Sequence, residues 1–161
     1  MKRIFHVPPW LIGATLAFTL LQANGAVTVT FTQPENYVDM PFAPWERDRV
    51  MKDLQTHFDK LGATLPSGQD LKIEILDIDL AGQIEPQTRG THDLRIMRGR
   101  ADWPTIQLRY RLESAGVVIK SGESRVNDMN YLQNRINRYA ANESLRYEKR
   151  MLDEWFKTLQ Q

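Results

Sequence analysis

Asp77 and Asp79, two residues apart and followed by Glu85 and Asp93, form one set of potential oxygen ligands in this sequence. Carboxylates so spaced could gather calcium or magnesium, which take hard oxygen donors. The glycine and terminal Glu of a calcium-binding loop are missing at their fixed offsets. The acids therefore read first as solvated or locally paired groups. A second concentration is Arg98-Gly99-Arg100-Ala101-Asp102-Trp103-Pro104. Arg98 and Arg100 could fork onto a carboxylate or phosphate, with Trp103 as a stacking surface. The structural alternative ties Asp102 to one arginine, sets Trp103 against the sheet edge and pairs the segment with Asp77 or Asp79.

His57 flanks an apolar helical stripe and reads as a boundary residue, while His92 beside Asp93 is the better acid-base candidate. The chain has no Gly-x-Ser-x-Gly elbow, no Gly-rich phosphate loop, no His-Glu-x-x-His and no cysteine nucleophile. The sequence thus designates no catalytic residue, no metal ligand and no cofactor. Asp77, Asp79, Arg98, Arg100, Asp102 and Trp103 remain as candidate ligand-binding residues.

The elements that must position them follow from periodicity. Val27-Thr28-Val29-Thr30-Phe31-Thr32 is β-branched and alternating, a strand. Val50, Met51, Leu54, Phe58 and Leu61 form one stripe of a helix from about Trp45, for which Gly62 offers a stop. Leu71 to Leu80 is a strand whose apolar residues sit at odd positions up to Ile75 and even ones from Leu76. Either a β-bulge there resets the register and turns Asp77 and Asp79 outward together, or the strand is covered on different faces along its length and the two acids point toward the core side. Gly82 to Asp93 reads as a polar loop and Arg95 to Arg98 as a short strand. Thr105 to Glu113 and Val117 to Val126 make a hairpin around Ala115-Gly116. Asp128 heads a helix with Met129, Leu132, Ile136 and Tyr139 at helical spacing. Leu145 to Leu159 is a further helix, with Leu145, Leu152, Trp155, Phe156 and Leu159 inward and Arg146, Lys149, Arg150 and Asp153 elsewhere. This order predicts a single α+β domain, mostly antiparallel, with two or three helices packed on one face of the sheet.

The amino terminus carries the compartment. Lys2 and Arg3, the apolar run Leu11 to Leu21 and the small residues Ala23 to Ala26 have the pattern of a secretory signal, cut near 25/26. Residues 1–25 are thus expected to be a signal peptide and 26–161 the exported domain. The apolar run is too short to span a bilayer, and no cysteine follows it to accept a lipid. Of 21 basic residues, Lys2 and Arg3 leave with the signal, so 19 face 20 acidic ones, a formal net of −1. That balance gives no electrostatic case for nucleic acid or an acidic membrane. A cysteine-free body has no disulfide to rely on in an oxidising compartment.

The segments Leu76-Asp77-Ile78-Asp79-Leu80-Ala81-Gly82, Arg98 to Pro104, Asp128-Met129-Asn130-Tyr131-Leu132 and Leu145 to Leu152 with Trp155-Phe156 together resemble the bacterial family known as domain of unknown function 3016. The resemblance implies an exported protein of Gram-negative bacteria and transfers no catalytic residue. The expected role is a periplasmic, non-enzymatic binding or accessory module of the cell envelope, its partner an envelope protein or a small ligand. The alternatives are a metal-assisted hydrolase or a small anionic-ligand binder using Asp77/Asp79 and Arg98/Arg100.

Overall fold

A computed structural model describes residues 25–85, 94–134 and 136–161. The segment read as a signal, up to residue 24, lies outside them, as do His92 and Asp93. The chain is α+β, with elements in the order β1 (Val27–Phe31), α1 (Pro44–Gly62), β2 (Gln69–Asp79), β3 (Gln83–Glu85), β4 (Leu94–Ile96), β5 (Thr105–Ser114), β6 (Val117–Asn127) and α2 (Arg146–Leu159). The main sheet runs β1-β2-β5-β6, and β3 and β4 form a separate antiparallel pair. β1 and β2 are parallel, with Val27 opposite Leu71, and the other neighbours are antiparallel. Parallel neighbours need a long crossover, and α1 supplies it.

The core joins Leu54, Phe58 and Leu61 of α1 and Leu152, Trp155, Phe156 and Leu159 of α2 to Leu71, Ile73, Ile75 and Ile78 of β2 and Ile106, Leu108 and Leu112 of β5. Of the two readings of the parity flip in β2, the bulge is the one observed. Ile75 opposes Leu108 and Asp77 opposes Gln107, so Leu76 is the extra residue of a bulge. Ile75 and Ile78 are both fully buried, while Asp77 and Asp79 are not.

Two expectations need correction. No helix starts at Asp128. Its Oδ1 accepts the Asn130 backbone N–H at 3.1 Å, and the chain continues as turns through Asn134. Asn side chains compete for the backbone here, as Asn137 does by bonding the Tyr139 N–H and the Arg146 carbonyl. Met129 and Ile136 of the presumed stripe are exposed. The stretch after Gly82 is not all loop, because Gln83–Glu85 pairs with Leu94–Ile96. α1 stops at Gly62 as expected, although its Ala63 cap is still right-handed helical rather than left-handed. Gly62 is needed because a Cβ there would meet Val27 Cγ2 at 2.2 Å, so α1 and β1 touch through the missing side chain.

The hairpin turn carries strain in one residue. Ala115 and Gly116 both have positive φ, 48° and 80°, the geometry of a type I′ turn, which prefers Asn-Gly. Alanine in the left-handed region costs about 1 kcal/mol. Ala115→Asn is expected to raise stability by about that amount, read as a shift in the denaturation midpoint with unchanged slope; no shift would mean that the turn relaxes in solution.

Candidate functional site

The bulge aims Asp77 and Asp79 at the segment that follows β1. Asp77 Oδ1 accepts the Val38 N–H at 2.9 Å, and Asp39 bridges to Asp79 in parallel. Burial holds the Asp79 carboxyl above its usual range, and the nearby Asp39 and Asp77 charges add to the effect against Arg95 and Arg125. The cation at this acidic corner is Arg95. It grips Asp39 through two bonds, 2.6 and 3.1 Å, and also donates to the carbonyls of Ala81 and Gly82.

Arg98 instead pairs with Glu85. Among the described residues, neither Arg98 nor Arg100 forms an ion pair with Asp77, Asp79 or Asp102. Asp102 is buried and is satisfied by two backbone donors, the Arg98 N–H at 2.6 Å and the Arg100 N–H at 2.7 Å, and by the Tyr131 hydroxyl at 2.9 Å. Burial alone would raise its pKa, yet these donors hold the carboxyl below its usual range. Asp102 thus ties its own loop into a tight turn and latches it to Tyr131. Trp103 is half-buried beside the buried Pro104.

The four segments that carried the resemblance meet at this end of the molecule. The Gly82 N–H donates to the Asp102 carbonyl, Tyr131 packs edge-on against Tyr147 with centroids 4.9 Å apart, and Asp128 lies 3.5 Å from Arg150. The Glu148 carboxylate accepts the Ala81 N–H at 2.8 Å. Glu148 is buried, and burial pushes its carboxyl up despite that bond. Between the first and last segments lies a cavity of about 300 Å3, lined by Pro41, Leu80, Arg95, Met97, Arg146 and Glu148 among others. The Arg146 guanidinium stacks over the Tyr147 ring at 5.2 Å, and its buried Nε has no acceptor. A guanidinium among apolar walls suits the acceptor group of a small amphiphilic molecule. Among the described residues no three acidic or histidine side chains gather as a metal site would require.

A second buried polar cluster lies between the helices. His57 is 3% exposed, and its Nε2 stands 3.2 Å from Asp153 Oδ1. Asp153 also accepts from Arg138 at 2.7 Å and from the Tyr139 hydroxyl at 2.9 Å. Burial lowers the His57 pKa to about 4, with Asp153 opposing and Lys149 and Arg138 assisting. The boundary reading of His57 is therefore corrected, and so is the placing of Lys149 and Asp153 away from the core, as both are buried. Arg95, Asp39, Glu148 and Arg146 were not singled out by sequence. The one signal was that Arg146 and Glu148 lie within a segment carrying the resemblance.

No curated protein and no solved structure matches the chain. The family described as "Protein of unknown function (DUF3016)" matches residues 25–158, nearly everything after the amino-terminal apolar run, and the chain belongs to that family.

Proposed function

We propose that this chain is an exported, non-enzymatic binding module of the bacterial envelope that holds a small amphiphilic anion in the cavity between Leu80-Ala81 and the start of α2. The observation carrying this reading is that Arg146, which forms no ion pair among the described residues, lines the cavity beside the apolar wall of Pro41, Leu80 and Met97. Export is supported by Lys2-Arg3, the apolar run and the small residues before Val27. With both helices banked on one face of the sheet, the buried polar groups at this end serve as braces. Asp77, Asp102 and Arg98 are each satisfied by neighbours, which favours binding over metal-assisted hydrolysis.

The test has two arms. Fractionation of cells expressing the full chain should recover a shortened product in the periplasm; an intact chain in the cytosol overturns the placement. Thermal shift with hexanoate and benzoate should then stabilise that product, by about 2.7 kcal/mol at a hundredfold excess over Kd. Arg146→Gln should abolish the shift. No response to either carboxylate, or an equal response in the variant, overturns the site.

A further inference from the structure

The sheet has one face packed under the helices and one that is bare and concave. Leu71, Ile73 and Ile75 of β2 and Leu108 and Leu112 of β5 are buried on the helix side, so the alternate residues line the other. There all four strands bound a concavity of about 570 Å3. The strand register sets its residues in rows. Thr28 stands beside Lys72, Lys72 beside Arg111 and Arg111 beside Ser121. The next row reads Thr30, Glu74, Arg109 and Glu123. In that second row Arg109 lies between two carboxylates and reaches both, Glu74 at 2.7 Å and Glu123 at 3.4 Å. In the first row two cations face each other directly, with a hydroxyl at either end and no acid. Opposed like charges destabilise a sheet. Lys72 is drawn aside to Glu113 at 2.9 Å, whereas the exposed Arg111 forms no ion pair among the described residues. The hydroxyls of Thr28 and Ser121 have no hydrogen-bond partner among them either.

We propose that this concavity binds a sugar acid, with Arg111 holding its carboxylate and the neighbouring hydroxyls and carboxylates meeting its hydroxyl groups. A local charge conflict that the fold leaves standing marks a position set by function rather than by stability. Guanidinium is the side chain that forks onto a carboxylate through two charge-assisted bonds. Among the residues lining the concavity, Lys72, Arg109 and Arg111 face Glu74 and Glu123, a surplus of one positive charge. That balance suits a monoanion, because the two carboxylates flanking Arg109 repel the second charge of a phosphate. Ionised Glu74 and Glu123 accept hydrogen bonds, while Thr28 and Ser121 both donate and accept, so the rim around Arg111 matches a ligand rich in hydroxyls. The volume falls in the range of small-molecule sites, about 300–1,000 Å3. Neither row carries an apolar side chain, which separates this ligand from the amphiphile assigned to the cavity beside Arg146. The two sites are independent.

Thermal shift of the full-chain product released by the cell, at matched ionic strength, tests the site. Glucuronate should raise the midpoint, acetate should raise it less and glucose should leave it unchanged. Arg111→Gln should lose the glucuronate response. Without ligand the same variant should unfold at the wild-type midpoint or above, since it removes one of two opposed cations, whereas loss of a merely structural arginine would lower the midpoint. Arg146→Gln should keep the glucuronate response. No rise with glucuronate overturns the site, as does a rise that survives Arg111→Gln or a ligand-free Arg111→Gln midpoint below wild type. Equal rises with glucuronate and acetate refute the hydroxyl contacts, and an equal rise with glucose refutes the carboxylate. A response lost in Arg146→Gln instead moves the anion to the other cavity and overturns this one.

Discussion

Between pH 7 and pH 4 the unsubstituted chain is expected to lose about 3 kcal/mol more folding stability than its His57→Gln variant. His57 is buried against α2, and its folded pKa is lowered from 6.5 to about 4, first by burial and then by Lys149 and Arg138, with Asp153 opposing. The folded state therefore binds fewer protons than the unfolded chain in that window. A group lowered in this way gives its full contribution above pH 6.5 and loses it as pH falls toward 4. Each unit of difference is worth about 1.4 kcal/mol, which sets the size. Asp79 and Glu148, whose carboxyls are raised, push the other way, because they take up protons more readily when folded. Both are present in the variant too, so they cancel in the comparison. Urea unfolding at each pH gives the two profiles. Parallel profiles would mean that the imidazole is not the buried neutral group described above.

The readable parts of this fold are those set by local pattern. The odd-to-even switch between Ile75 and Leu76 announced a break in the strand pattern, and the bulge that answers it turns Asp77 and Asp79 out. Ile106, Leu108 and Leu112 announced the buried face of β5, and Trp155, Phe156 and Leu159 that of α2. Long-range polar pairing was opaque for a physical reason. Asp39 and Arg95 are 56 residues apart and belong to elements with weak periodicity of their own. Asp102 binds backbone N–H groups, which every non-proline residue offers, so nothing in side-chain identity marks its partners. Glu148, Lys149 and Asp153 broke the rule that charged helix positions face water. Each is excused by a partner from another element: the Ala81 N–H, Glu143 and Arg138 with Tyr139. The false helix after Asp128 came from trusting apolar spacing where asparagines had already claimed the backbone.

A chain ending at Glu154 is expected to be unfolded, without a cooperative thermal transition. α2 is last in sequence but central in packing. Trp155 sits edge-on to Phe58 of α1 at 6.4 Å and to Tyr110 of β5 at 5.7 Å, so one indole joins the helical layer to the sheet. Phe156 and Leu159 are 3 and 5% exposed in the same core. Removing a buried side chain of this size costs about 3–5 kcal/mol for an aromatic and about 2–5 for leucine. Losing three together reaches about 8 kcal/mol at the least, against a typical domain stability of about 5–15. The loss deepens because the carbonyls of Thr158 and Leu159, which accept from Lys120 on β6, leave with the truncated turn. Trp155→Ala supplies the graded control. It should stay folded with a lower midpoint, because the β5–β6 hairpin and the β2–β5 ladder keep their pairing while only the indole is lost. Far-ultraviolet circular dichroism followed on heating distinguishes the two. A truncated chain that keeps a sharp transition would show that α1 and the sheet make a self-sufficient core, and that Trp155 and Phe156 are anchors on its surface.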